Sequence, residues 1–345
     1  MTFKTFQEYI DNTKRLLKKQ HPKLANDILD EIAPKHFTPN SHSINKHKGI
    51  LLIHGLLDSA TAMSSLYASY CLEGYTVKNI LLPGHGTIPE DTLTIHYRQW
   101  IDCAQLALND FNDTVTDITI IGFSAGATLA CYLAQHYKKV CRLILFAPAF
   151  ELVSKGANLI PSLQKFNEFA PWVAKQWLTY ETEEEKNKYA SITTNSVFQV
   201  LSLIKKVQSH TEQRPIHCPI FMIVSTDDET VSYQSAITFL KKQTHTNNQL
   251  IIYSNEHKLS DLPKNTEIIH SCLPSHKILN YSHVAMHVAP EHPLYGEKIP
   301  HHSHYLGALS MQNKANYKNN LSRLTYNPNY NTLLKKISSF INCEC

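Results

Sequence analysis

The sequence predicts an α/β protein: a mostly parallel sheet flanked by helices and carrying a helical insertion. Three observations predict it. Apolar runs of strand length alternate with helix-like segments through residues 48–149 and again after 216, the rhythm of a parallel sheet covered on both faces. That rhythm breaks over residues 150–215, where strand signals are missing and Phe166, Phe169, Trp172 and Trp177 lie among charged residues such as Glu183, Glu184, Glu185 and Lys186. Between the run Asp117–Ile121 and the helix-like run Ala127–Ala134 stands Gly122-Phe123-Ser124-Ala125-Gly126.

Taken in order, residues 1–33 read as a polar amphipathic helix, with Leu16, Leu17, Leu24, Ile28, Leu29 and Ile32 near helical spacing. With the loop 34–47 they form an amino-terminal extension, 1–47, ahead of the core. Gly49–Ile53 is the first core strand and runs into His54-Gly55-Leu56; residues 60–73 suit a helix. Thr76–Leu82 is a strand leading to Pro83-Gly84-His85-Gly86-Thr87, and a helix covers about 97–111. Arg142–Phe146 follows the Ser124 segment as another buried strand. The insertion 150–215 is expected to lie over the sheet's carboxyl edge as a cap. The core resumes over 216–345, with strands at Pro219–Val224, Leu250–Tyr253 and Lys277–Tyr281 and a closing amphipathic helix from Asn331 to Ile341.

Bulk properties narrow the function classes. A chain of 345 residues with 43% apolar and 18% charged residues can bury a large core. A net charge of +4 spread over scattered lysines gives no basic stripe, so nucleic acid is not an expected partner. No stretch reaches the length of a membrane span, and the opening residues lack a signal-peptide core; no stable membrane insertion and a cytoplasmic location are the expectations. Eight cysteines do not make a disulfide scaffold in a chain this long. Cys131, Cys141 and Cys218 read as buried thiols, and Cys343 and Cys345 as an exposed terminal pair.

A Gly-x-Ser-x-Gly between strand and helix places its serine on a tight, strained turn, where flanking glycines avoid collisions. A serine hydroxyl needs a base to take its proton and a carboxylate to orient that base. Candidates for both follow strands, in the order serine, acid, histidine. After Val224 come Asp227 and Asp228; Asp228 is preferred because the spacing to Val231 leaves that valine to anchor the next helix. Either aspartate also suits capping a helix that begins near Ser232. After Tyr281 comes His283, preferred as the base for its place behind a strand, with His287 and His292 as competitors on the same loop. Main-chain donors for a developing oxyanion are expected at Ala125, after the serine, and at Leu56, after the first core strand. His54, Gly55, His85, Phe123 and Trp172 are the candidates to line a substrate site. His301-His302-Ser303-His304 lacks carboxylate or cysteine ligands at suitable spacing, so no metal is expected.

As a set, His54-Gly55-Leu56, Leu82-Pro83-Gly84-His85-Gly86-Thr87, Gly122-Phe123-Ser124-Ala125-Gly126, Asp228-Glu229-Thr230-Val231 and Ser282-His283 resemble the bacterial carboxylesterase and monoacylglycerol-lipase-like branch of the α/β-hydrolases. The resemblance spans roughly residues 48–290. It implies a serine hydrolase acting on a small-molecule ester or lipid, medium-chain esters or monoacylglycerols, without a cofactor. A lysophospholipase, thioesterase or acyltransferase would use the same three residues, and a non-catalytic binding protein would keep the fold. The amino-terminal extension and the long tract after His283, including Met286–Gly296, depart from the family pattern.

Overall fold

The structure, a computed structural model, describes residues 3–111, 115–153, 177–183, 187–211, 213–256, 258–276, 278–298 and 322–343. Phe166, Phe169, Trp172 and the His301–His304 cluster lie outside the described residues.

Eight strands form the main sheet: β1 (Lys35–Phe37), β2 (Lys48–Ile53), β3 (Thr76–Ile80), β4 (Asp117–Phe123), β5 (Val140–Phe146), β8 (Ile220–Ser225), β9 (Gln249–Ser254) and β10 (Thr266–His270). Their spatial order is β1-β3-β2-β4-β5-β8-β9-β10. All neighbours are parallel except β1, which runs antiparallel to β3 at the edge. Helices cover both faces of the sheet, and every residue of β3 and β8 is buried, in β3 including the polar Thr76, Lys78 and Asn79. The chain turns from β2 to β3 on one side and then returns to place β4 on the other side of β2. That reversal lies at the carboxyl ends of β2 and β4, the position at which open α/β sheets bind ligands.

The amino-terminal segment is two helices, not the single helix expected over 1–33: α1 (Phe6–Gln20) and α2 (Asn26–Ile32). The break falls at His21-Pro22, where the proline ring disfavours helical backbone at His21. This segment shares the main core. Phe6, Tyr9 and Ile10 are buried in it, and Leu17, Leu29 and Ile32 pack with Leu81. Beneath Phe6, the fully buried Lys78 donates to Asp110 at 2.6 Å and to the Ala107 carbonyl at 3.1 Å, and the other Asp110 oxygen accepts the Phe6 amide at 3.0 Å.

Helices α3 (Ser64–Leu72), α4 (Tyr97–Asn109) and α5 (Ala125–His136) fall where the pattern placed them. Within 150–215, α6 (Thr194–Thr211) is the crossover between the adjacent parallel strands β5 and β8, a connection that needs a helix on the sheet face. Its inner residues Val200, Leu203 and Val207 are buried, and its backbone at Val207 accepts from Gln135 of α5. The insertion also contains strands, β6 (Trp177–Thr179) paired antiparallel with β7 (Ile192–Thr193).

Two further differences lie after β8 and α7 (Tyr233–Lys241). Strand β10 carries only a short strand signal in the sequence, Ile268-Ile269, because as an edge strand it is largely exposed and otherwise polar. The run ending at Tyr281 does form a strand, β11 (Ile278–Tyr281), but not in the main sheet. It pairs with β12 (Ser322–Leu324) as a separate two-stranded ribbon. Helix α8 (Tyr330–Asn342) closes the fold with Leu333, Ile337, Phe340 and Ile341 buried. Among the described residues no helix is long and apolar enough to cross a membrane.

Candidate active site

Strand β4 ends at Phe123 and α5 begins at Ala125, so Ser124 alone makes the turn, at φ 55° and ψ −119°. A non-glycine residue held there stores strain on the order of 1–3 kcal/mol. The flanking glycines make the turn possible: a Cβ on Gly122 would lie 2.5 Å from Ala127 Cα, and one on Gly126 would lie 2.4 Å from the carbonyl oxygens of Ile53 and His54. The Ser124 amide donates to Phe146 O at 2.9 Å and its carbonyl accepts from Ala127 and Thr128, fixing the turn from both sides.

The turn after β11 brings His283 against this serine. Its Nε2 stands 2.9 Å from Ser124 Oγ, and its Nδ1 2.6 Å from Asp228 Oδ2. A carboxylate only accepts, so Nδ1 carries the proton toward Asp228 and Nε2 is left to accept from the hydroxyl. The second Asp228 oxygen accepts from the amides of Thr230 and Val231 at 2.8 and 3.0 Å. Asp227 faces elsewhere: its carboxylate meets Asn255 at 3.4 Å and Ser271 at 3.1 Å. Neither aspartate caps α7; Ser232 does, accepting from Ser235 N at 3.1 Å.

The other expected site residues divide into surface and support. Gly55 follows β2 and packs against the turn so closely that a Cβ there would lie 3.1 Å from Ser124 Cβ; Leu56, next in the chain, is half-buried. Ala125 opens α5, and a first-turn amide has no acceptor within its own helix. His54 is fully buried, with Nδ1 at 2.7 Å from Gly55 O and Nε2 accepting from Leu82 N at 2.9 Å. His85 is buried too, its Nδ1 shared between the carbonyls of Leu82 and Pro83, both at 3.2 Å, and its ring stacked on Tyr189. Burial pushes His54 well below the usual histidine range and His85 down to about 4. The side chains expected to touch substrate therefore tie the loops after β2 and β3 together from within. Phe123 is buried as well, its ring 4.8 Å from that of His283 and 4.3 Å from that of His287. Of the competing bases, His287 is fully buried beneath Phe123 and Phe146, where burial pushes it down to about 3. His292 holds Ser64 Oγ and the Thr61 carbonyl at 2.9 and 3.1 Å.

Several neighbours carried no sequence signal. Tyr189, in the insertion, donates its amide to Leu57 O at 2.8 Å and so joins the insertion to the loop after β2. Asn327 donates to Val288 O, Met286 O and Tyr253 Oη at 2.9, 3.1 and 2.8 Å, pinning the loop behind His283. Arg323 reaches the Asp227 carbonyl at 2.8 Å and the Glu229 carboxylate. Nothing near these positions in sequence forms a motif; only distant pairing brings them here. Among the described residues no group of three or more His, Cys, Asp or Glu could hold a metal ion. Cys131 and Cys218 are buried as expected, whereas Cys141 is only half-buried.

A twisted parallel sheet carrying a strained serine turn at its topological switch defines an α/β-hydrolase, lipase-like in its set of motifs. The chain belongs to the serine aminopeptidase, S33 family, whose model matches residues 45–259; His283 lies beyond the matched stretch. The thermostable monoacylglycerol lipase of Bacillus sp. (strain H-257) is 24% identical over 215 residues, 62% of this chain and 84% of that protein. Among solved structures, the monoacylglycerol lipase of Paleococcus ferrophilus superposes with a TM-score of 0.54 at 14% identity, over 64% of this chain and 88% of its own. A soluble variant of the Saccharomyces cerevisiae monoglyceride lipase, bound to a substrate analogue, gives a TM-score of 0.51 at 12% identity, over 65% and 82%. These structural likenesses show the shared fold.

Proposed function

We propose that the protein hydrolyses carboxylic esters, short- or medium-chain acyl esters or monoacylglycerols, through Ser124, His283 and Asp228. The observation that carries this reading is the continuous relay from Ser124 Oγ to His283 Nε2 at 2.9 Å and from His283 Nδ1 to Asp228 at 2.6 Å. The monoacylglycerol lipase activity named for the Bacillus relative supports the substrate class.

In the first half-reaction His283 Nε2 takes the Ser124 proton as Oγ attacks the ester carbonyl. The oxyanion forms beside the amides of Leu56 and Ala125. His283 then returns the proton to the leaving alcohol, and Ser124 is left acylated. A water that gives its proton to the same nitrogen attacks the acyl-enzyme and releases the acid. Asp228 holds the imidazole with Nδ1–H inward and stabilises its charged form. The described residues ahead of α6, with β6, β7 and Tyr189 on the loop after β2, are read as the base of a cap over this site.

The test is a panel of p-nitrophenyl and monoacylglycerol esters from acetyl to palmitoyl, alongside aminoacyl p-nitroanilides that probe the aminopeptidase activity named for the family. The expected result is ester turnover that is abolished in Ser124→Ala. Amide turnover with no ester turnover would overturn the assignment.

A further inference from the structure

The tract from Ser322 to Asn327 is remote in sequence from the serine turn yet bonds the segments on both sides of His283, at Ser282 and at Met286 and Val288. Strand β12 sets Arg323 opposite Asn280 and Leu324 opposite Tyr281, with a shift of register between Ile278 and Asn280. Leu324 O accepts the Ser282 amide at 2.9 Å, immediately before His283. From this position the buried Arg323 side chain crosses to the acid loop. Its Nη1 donates to Asn280 Oδ1 at 3.3 Å, and its Nη2 donates to the Asp227 carbonyl at 2.8 Å and to the Glu229 carboxylate. One planar guanidinium thus holds both neighbours of Asp228 and the strand that leads into His283. A forked donor set suits this bridging; a lysine ammonium, a single point donor on a flexible stem, does not reproduce it.

We propose that Arg323 is a positioning residue for the catalytic array. It fixes the 227–229 loop at the depth where Asp228 meets His283, and it neutralises Glu229 beside them. This rests on the triad reading above.

Asp228 and Glu229 approach His283 from the acid loop, Ser124 from the serine turn, and His287 from its own segment, while Lys188 faces His287 from the insertion. Asp227 points away into Asn255 and Ser271. Arg323 is the cation that meets Glu229, whose carboxyl burial pushes up and whose neighbour Asp228 pushes it the same way. Without the guanidinium, the Glu229 and Asp228 carboxylates stand unopposed near the imidazole and favour its charged form. The free base that deprotonates Ser124 then appears only at higher pH.

The test follows kcat, KM and the rate of fluorophosphonate labelling from about pH 5 to pH 9 with p-nitrophenyl butyrate as substrate. The proteins are wild type, Arg323→Lys, Arg323→Gln, and Arg323→Gln combined with Glu229→Gln. Arg323→Gln is expected to lower kcat on the order of 10- to 100-fold through misplaced reacting groups, with KM nearly unchanged and the acid limb of kcat/KM moved to higher pH. The double variant is expected to return that limb toward wild type without restoring kcat. Arg323→Lys is expected to keep the limb in place with a reduced kcat. Wild-type kcat and limb in Arg323→Gln would overturn the proposal. So would an equal loss in all three variants with unmoved limbs and lowered melting temperatures, the signature of a purely structural residue. A wild-type protein that neither labels nor turns over ester would remove the triad reading, and this proposal with it.

Discussion

Asp228 divides its carboxylate between two elements. Oδ2 accepts a hydrogen bond from His283 Nδ1 at 2.6 Å, while Oδ1 accepts from the amides of Thr230 and Val231 at 2.8 and 3.0 Å. The residue that orients the imidazole is therefore locked by its own loop, and the orientation of His283 is inherited from backbone geometry.

Asp228→Asn replaces one acceptor with a donor and cannot serve both partners. Ester turnover should fall on the order of 10⁴-fold, as expected when the imidazole is no longer held in the required tautomer. Asp227→Asn should cost less than about tenfold, the scale of one hydrogen bond, because its carboxylate meets Asn255 and Ser271 and not His283. Initial rates for the two variants distinguish the adjacent acids.

Gly126→Ala should destabilise the fold by about 3 kcal/mol or more, at the upper end for overpacking. The new methyl would meet backbone carbonyls of β2 and His54 at 2.4 Å, and backbone there has no room to retreat. Urea unfolding monitored by tryptophan fluorescence measures this.

Asp110→Ala should cost about 3 kcal/mol, since it leaves the Lys78 ammonium buried without its counter-ion. Combining it with Lys78→Met should restore most of the loss, because the side chain packs between Phe6 and Phe111. The same unfolding experiment reads both.

Stability should fall in mild acid. His85 and His287 have folded values depressed from 6.5 to about 4 and about 3. Above about pH 6.5 both states hold them neutral; as the pH drops below 6.5 the unfolded chain takes up protons first, and stability is lost down to the folded values. Melting temperature should therefore be flat above about pH 7 and decline below 6.5, with a shallower decline in His287→Phe.

How much of this was legible in the sequence depended on distance along the chain. The serine turn was readable because its strand, glycines and helix are contiguous, and Asp228 was favoured over Asp227 from a three-residue spacing. Strand β10, Thr266–His270, is hard to read because its apolar run is only Ile268-Ile269, set between polar residues on an exposed edge. Strand β11 is legible as a strand but not its sheet, because an apolar run predicts a strand and not its partner; the partner, β12, lies some forty residues later. His54 and His85 are candidates to line a substrate site because they stand on the loops that follow β2 and β3. Their burial is set by Leu82, Trp100 and Tyr189, which no local pattern reveals. Arg323 is the extreme case: an isolated arginine whose role appears only once β11 and β12 are paired.

The most direct test of the central claim is mass spectrometry of the protein after reaction with a fluorophosphonate probe. A single adduct on the peptide containing Ser124, absent in Ser124→Ala and slowed on the order of 10³-fold or more in His283→Ala, is the predicted result. Undiminished ester hydrolysis by Ser124→Ala, or an adduct on a different residue, would contradict it.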